Sequence, residues 1–306
     1  MKPSNAGSVD PVAVTDFLLR GWPLPMPPAG GDKEVKGRIL VVGGSPEMPG
    51  AILLAATAAL HAGAGKLTVA TAASVAQLVA ARMPEARVIA LPEDAERHLL
   101  PGALQECLSE QADRYDAVVI GPGMQADESL LDDIVGLLRR FSAAKVLLDA
   151  CAMDVVRLPA WRLRGPDAIP PVLLTPHAGE MAHLTGHDKD AIQAEPLDLL
   201  DECCRDWQAV VALKGARTLI ATPDGQCWDH RGGNSGLGVS GSGDTLAGII
   251  GGLTARGASL AQAAVWGVAL HARAGVALAG KSGPIGYLAR HLSSEVPGLM
   301  HRLSME

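Results

Sequence analysis

"GSGDTLAGIIGGL" occupies residues 241–253. A glycine-rich turn leads to one carboxylate, Asp244, and then Leu246, Ile249, Ile250 and Leu253 recur at the i, i+3, i+4, i+7 spacing of a helix. Glycines ahead of a helix let backbone N–H groups approach an anion, and the helix N-terminus adds positive potential. Gly241, Ser242 and Gly243 therefore read as a cradle for a phosphoryl group. The chain has no GxxxxGKS/T run, which excludes a Walker-type loop. Asp244 has two readings. As a helix-capping acid it stabilises by ~1 kcal/mol. As a base it stands where a hydroxyl attacking phosphorus would lose its proton.

The segments upstream tell what that helix packs on. "RILVVGG" (38–44), "KLTVAT" (66–71), "RVIAL" (87–91), "AVVIGPG" (117–123), "KVLLDA" (145–150), "PVLLTP" (171–176) and "AVVALKG" (209–215) are short apolar runs of buried strands. Helical patterns lie between them, notably the apolar 50–63 and the amphipathic 128–140, where Leu130, Leu131, Ile134, Leu137 and Leu138 line one face. "TLIATPDGQCWD" (218–229) reads as a hairpin turning at Pro223-Asp224-Gly225. Strands alternating with helices predict an α/β three-layer sandwich, a mainly parallel central sheet with helices on both faces. Residues 36–306 read as one domain. Residues 1–35, rich in Pro and Gly, read as a poorly ordered N-terminal arm.

Several strands end in small or polar clusters: Gly43-Gly44-Ser45, Gly121-Pro122-Gly123, Asp149, Thr175-Pro176-His177 and Lys214-Gly215. Each alone is an ordinary βα turn. Together they gather at the carboxyl edge of the sheet, where ligands of open parallel sheets bind.

Composition narrows the function classes. The net charge of −7 argues against a nucleic-acid or anionic-membrane partner. The five cysteines show no zinc-ligand spacing and read as free thiols of a reducing cytoplasm. The apolar run 51–65 is shorter than the ~20 residues that span a bilayer, and 258–280 is interrupted by Gln262, His271 and Arg273. The expectation is a soluble, cytoplasmic protein.

The motif at 241–253 resembles the G-S/T-G-D helix start of ribokinase-like kinases. With "GRILVVGGSPEMPGAILLAATAALHAGAGKLTVAT", "VVIGPGM", "LLTPHAGEMAHLTG", "VALKGARTLIATPDG" and "GNSGLGVSGSGDTLAGII" in order, residues 35–280 resemble the ADP-dependent NAD(P)H-hydrate dehydratases. The resemblance implies a ribokinase-like fold and a homo-oligomer, a tetramer or larger. It implies dehydration of hydrated NADH or NADPH (NADHX/NADPHX), with ADP or ATP phosphorylating the ring hydroxyl and phosphate then leaving. Asp244 would be the base. Ala51, Gly123, His177 and Asp244 match substrate-contacting positions. Lys214, Gly215, Ala216, Arg217 and Thr218 match the nucleotide loop, completed by Gly241, Ser242 and Gly243. An ordinary hairpin with solvated cations is the other reading of that loop. Glu180 matches a glutamate that organises Mg²⁺ through water, or else it is an N-terminal helix acid. His177, His183 and His187 read as surface histidines. Asn234 has two equal readings, a ligand contact or a support for its loop.

Three departures stand out. Cys151 replaces an acid in "LLDACAMD", and Val239 and Ser240 stand where Thr and Gly are usual. They motivate one rival, a nucleotide-binding homologue without catalysis; the shared fold gives another, a ribokinase-like kinase of a hydroxyalkyl heterocycle, which His177 disfavours because such kinases often have Asn there.

Overall fold

The computed structural model describes residues 10–28, 30, 32–125, 127–141, 143–162, 169 and 171–305. Ten strands form one sheet: β1 (Val12–Ala13), β2 (Arg38–Val42), β3 (Lys66–Ala72), β4 (Ala86–Leu91), β5 (Ala117–Ile120), β6 (Lys145–Leu148), β7 (Val172–Leu174), β8 (Val210–Leu213), β9 (Arg217–Ala221) and β10 (Cys227–Arg231). Their spatial order is β1-β10-β9-β8-β7-β6-β5-β2-β3-β4. From β8 to β4 every pairing is parallel, whereas β8, β9 and β10 are joined antiparallel by two hairpins. The hairpin expected over 218–229 is β9–β10. The second, β8–β9, encloses Lys214–Ala216.

Side-chain alternation splits the core in two. Ile39, Val41, Val119, Leu147, Leu173 and Ala212 point to one face, covered by helices Pro49–His61, Ser242–Ala255, Leu260–Ser282 and Ala289–Met305. Leu40, Val42, Ile120, Leu148, Leu174 and Val211 point to the other, under helices Glu128–Leu138, Ala178–Thr185 and Pro196–Trp207. A strand buried on both faces needs apolar residues at nearly every position, which is why the strands read as continuous runs.

Strand order reverses at β2 and β5: β3 and β4 extend to one side, β5 to β8 to the other. The crevice at such a reversal is where ligands bind. Here the two turns interlock, with the Gly44 amide donating to Pro122 O at 2.8 Å.

The N-terminal expectation needs correction. Val12 and Ala13 pair with Trp228 and Asp229, the helix Asp16–Gly21 buries Leu19 completely, and Trp22 stacks on Trp228 at 5.5 Å between centroids. Trp266 Nε1 and Gln262 Nε2 donate to Trp22 O. These tertiary partners outweigh the local Pro/Gly composition; residues 1–9 lie outside the described residues. The helix Leu260–Ser282 is long and apolar enough to cross a membrane by length and composition, but its Ala263–Ala269 stretch is buried in the protein core.

One packing contact sets the height of the glycine turn. Helices Pro49–His61 and Ser242–Ala255 run side by side with backbones in close approach. A Cβ on Gly248 would lie 2.0 Å from Ala55 O, and one on Gly252 would lie 2.3 Å from Ala59 O. That register, continued one turn toward both N-termini, brings Ala51 level with Asp244. The Gly248→Ala variant should therefore lose about 1–3 kcal/mol of stability, read as a lowered midpoint in urea unfolding. An unchanged midpoint would show that the helices have room to separate.

Candidate functional site

The site is built from the carboxyl ends of β5 to β8 and the start of the helix Ser242–Ala255. Lys214 follows β8. Its amide donates to Pro176 O at 2.7 Å, extending the parallel pairing as an isolated bridge to His177. Its ammonium lies 3.2 Å from Asp149 Oδ1 and 3.7 Å from Glu180 Oε2, with the side chain only 18% exposed. Burial works against that charge, but Asp149, Glu180 and Asp244 outweigh it and raise the Lys214 pKa. So the solvated-hairpin reading holds for the connection and fails for the cation, which is enclosed by acids.

Asp149 ends β6 and is itself buried. Its Oδ1 also accepts from Thr175 Oγ1 at 2.6 Å. Asp244 stands in the first turn of its helix, where Gly243 lies nearest the ammonium: a Cβ there would be 3.6 Å from Lys214 Nζ. Burial first, and then the Asp149 charge, push the Asp244 carboxyl up to about 6 against the pull of Lys214. Gly241, which has no side chain to cap with, enters this helix with φ +86°, and the Asp244 carboxyl takes a hydrogen bond from its own backbone amide. A partly buried carboxyl whose pKa is raised to about 6 in spite of that bond suits a base.

The cradle differs in one respect from its sequence reading. The Ser242 amide closes a turn onto Val239 O at 3.1 Å, so it is not free for an anion. The amides of Gly241 and Gly243 have no partner among the described residues. Ser242 instead presents its hydroxyl, 3.0 Å from His271 Nε2.

A cavity of about 890 Å³ opens beside this turn, lined by His177, Lys214, Gly215, Ala216, Thr218, Ser242 and Gly243 together with His230, Asn234 and His271. It unites most of the residues read as a nucleotide site. Arg217 is not among them: its guanidinium turns to Asp229 Oδ1 at 3.0 Å on β10. Strand alternation explains this, since its neighbour Thr218 takes the cavity side.

Ala51 and Gly123 meet each other at the sheet reversal. Gly123 has φ +66°, and a Cβ on it would lie 2.6 Å from the Ala51 Cβ. Helix register brings this pair level with Asp244, and neither residue lines the cavity. His177 caps the helix Ala178–Thr185: its Nδ1 accepts from the Gly179 and Glu180 amides at 3.0 and 3.1 Å, and Glu180 Oε2 accepts from the His177 amide at 2.7 Å. Glu180 is thus the helix-capping acid of its second sequence reading, and it also borders the Lys214 cluster. His183 pairs with Asp154 at 2.9 Å. Cys151 donates to Met124 O at 3.1 Å, and burial holds its thiol up at about 12. It is therefore neutral and supplies no replacement for the missing acid. Asn234 Oδ1 accepts from the Gly236 amide and from Tyr287 Oη, at 2.9 and 2.8 Å, which supports its loop.

Three carboxylates around one ammonium leave an excess of negative charge where anionic phosphates would enter. Among the described residues no three His, Cys, Asp or Glu side chains are grouped to hold a metal ion directly, so a divalent cation would be held through its water, with Glu180 the acid on hand. Sequence reasoning passed over His271, which looked like an interruption in an apolar helix; a lone histidine on its buried face was the signal.

The model of the family described as NAD(P)H-hydrate dehydratase matches residues 39–298. The ADP-dependent (S)-NAD(P)H-hydrate dehydratase of Xanthomonas campestris pv. campestris is 48% identical over 95% of this chain and 96% of its own length. Among solved structures, the Bacillus subtilis ADP/ATP-dependent NAD(P)H-hydrate dehydratase co-crystallized with ATP/Mg²⁺ superposes with a TM-score of 0.79 at 31% identity, covering 96% of this chain and 98% of that one. A ribokinase-like superfamily protein of Enterococcus faecalis, 24% identical with a TM-score of 0.81 and full coverage of both chains, agrees in fold. By fold, by motif order and by these likenesses, the chain belongs to the NAD(P)H-hydrate dehydratase family.

Proposed function

We propose that the protein restores NADH or NADPH from its hydrate at the expense of ADP or ATP. One observation carries this reading: Asp244 heads a helix beside a glycine turn with free amides, close to Lys214, with its pKa raised to about 6.

The hydrate bears a hydroxyl on C6 of its nicotinamide ring. Asp244 takes the hydroxyl proton, and the oxygen forms a bond to the terminal phosphorus of the donor as the bond to the departing nucleotide breaks. The amides of Gly241 and Gly243 and the Ser242 hydroxyl receive the charge on the transferring group. The C6–O bond then breaks, phosphate leaves with the electron pair, and the ring nitrogen supplies the compensating push. Loss of the C5 proton completes the dihydropyridine. Phosphate is a far better leaving group than hydroxide, which is why a kinase scaffold serves a lyase. Gly215, Ala216 and Thr218 border the nucleotide. Lys214 faces its phosphates, and Arg217 contributes through Asp229 and the strand rather than by direct contact. Ala51, Gly123 and His177 flank the hydrate. Mg²⁺, when bound, neutralises donor charge, held through water by Glu180. The same reading takes residues 36–306 as one domain of a cytoplasmic homo-oligomer, tetramer or larger, with no nucleic-acid or membrane partner.

Incubation with hydrated NADH and ADP or ATP should restore the absorbance of NADH. A stable phosphorylated product without that recovery would favour the kinase, and nucleotide binding without turnover would favour the inactive homologue. Asp244→Asn should lower kcat by about 10²–10⁴ in a folded protein, the range for losing a general base; unchanged turnover would leave Asp244 with a structural role only. The ionised carboxylate is the active form, so kcat/KM should fall as pH drops through about 6. Removing the Asp149 charge by Asp149→Asn should move that acid limb down. Removing the cation by Lys214→Met should move it up. A limb unmoved in both variants would dissociate it from Asp244.

A further inference from the structure

The first turn of the helix Ser242–Ala255 offers a bound anion two free amides and one hydroxyl. The hydroxyl is the member whose direction is set from elsewhere. Ser242 is 6% exposed, its amide is spent on Val239 O, and its Oγ faces Nε2 of His271 at 3.0 Å. His271 comes from the helix Leu260–Ser282, across the cavity wall, and both side chains border the cavity that holds Lys214 and Gly243. Burial, with Lys214 and His230 nearby, depresses the His271 pKa to about 4 against a hydrogen bond to the Ser242 backbone that raises it, so at neutral pH the ring carries one N–H and one bare nitrogen.

A serine hydroxyl has one proton to give. If Nε2 is the bare nitrogen, Ser242 spends its proton on His271 and turns a lone pair toward the cavity, which repels a phosphate. If Nε2 carries the hydrogen, the hydroxyl accepts from His271 and its own proton is free for the anion. The entering phosphate favours the second arrangement, and the neighbouring Lys214 charge disfavours the alternative of a doubly protonated ring.

We infer that His271 is a positioning residue for phosphoryl binding, donating from Nε2–H to Ser242 Oγ so that the Ser242 hydroxyl donates to the terminal phosphate of the donor. The relay rests on the nucleotide reading of this cavity, and it is read through ADP affinity, so a failure of dehydratase activity would leave it standing. It gives Ser242 a function that its engaged amide denies it, and it accounts for a histidine set among the apolar residues of its helix where that helix borders the cavity.

The test is calorimetric titration of the full-length protein with ADP and, separately, with adenosine. Ser242→Ala and His271→Leu should each weaken ADP by about ten- to hundredfold, the range for a hydrogen bond to a charged group. Adenosine, which carries no phosphate, should bind within about twofold of the parent affinity. The double variant should be no weaker for ADP than the worse single one, as expected of two groups in one relay. His271→Gln, whose side-chain amide donates from a comparable position, should recover most of the loss. Equal weakening of ADP and adenosine would overturn the relay and make His271 a packing residue. Full ADP affinity in Ser242→Ala would overturn it independently, and that variant leaves the core intact should His271→Leu fail to fold.

Discussion

A buried ammonium must be compensated, and the Lys214 side chain is compensated by three acids from three different elements. Asp149 comes from the end of β6, Glu180 from the helix after β7, and Asp244 from the helix after the glycine turn. None of these elements neighbours another in sequence. The ion cluster is therefore a product of sheet order, and it fixes the relative positions of Asp149, Glu180, Lys214 and Asp244. Removing one partner from such a cluster exposes the rest to an uncompensated buried charge, which costs more than the pair itself contributes.

The cluster also explains the unusual carboxyl. Partial burial disfavours the charged form of Asp244, and the neighbouring Asp149 charge adds to that effect. Lys214 pulls the other way without cancelling it, so the Asp244 pKa stays raised at about 6. The same negative excess sets what must accompany a phosphorylated donor. An anion entering this crevice would need further positive charge, which the backbone amides at the helix start offer.

Close backbone packing supports this arrangement from behind. Gly248 and Gly252 let the helix Ser242–Ala255 lie against the helix Pro49–His61. Because the contact is backbone to backbone, it tolerates little sliding, and the level of Asp244 relative to Ala51 is set to within a fraction of a helical turn. Leu54, one turn beyond Ala51, fills the space left by the absent side chain at Gly241. Ala51 and the Gly241–Asp244 turn are thus held by one pair of helices.

Much of this was legible in the sequence. Runs such as "RILVV" and "KVLL" have to be buried on both faces, and the glycines before Asp244 have to form a tight turn, because local composition and backbone sterics alone demand it. The ordered motifs sufficed for the family. The tertiary structure decided the rest. It turned Arg217 toward Asp229, spent the Ser242 amide on Val239, brought His271 to the Ser242 hydroxyl, and docked Val12–Trp22 onto β10 and the helix Leu260–Ser282. These outcomes depend on which side of a strand or helix meets which distant neighbour. A linear pattern encodes the periodicity of an element, whereas the partner opposite each side chain is chosen only when the layers close.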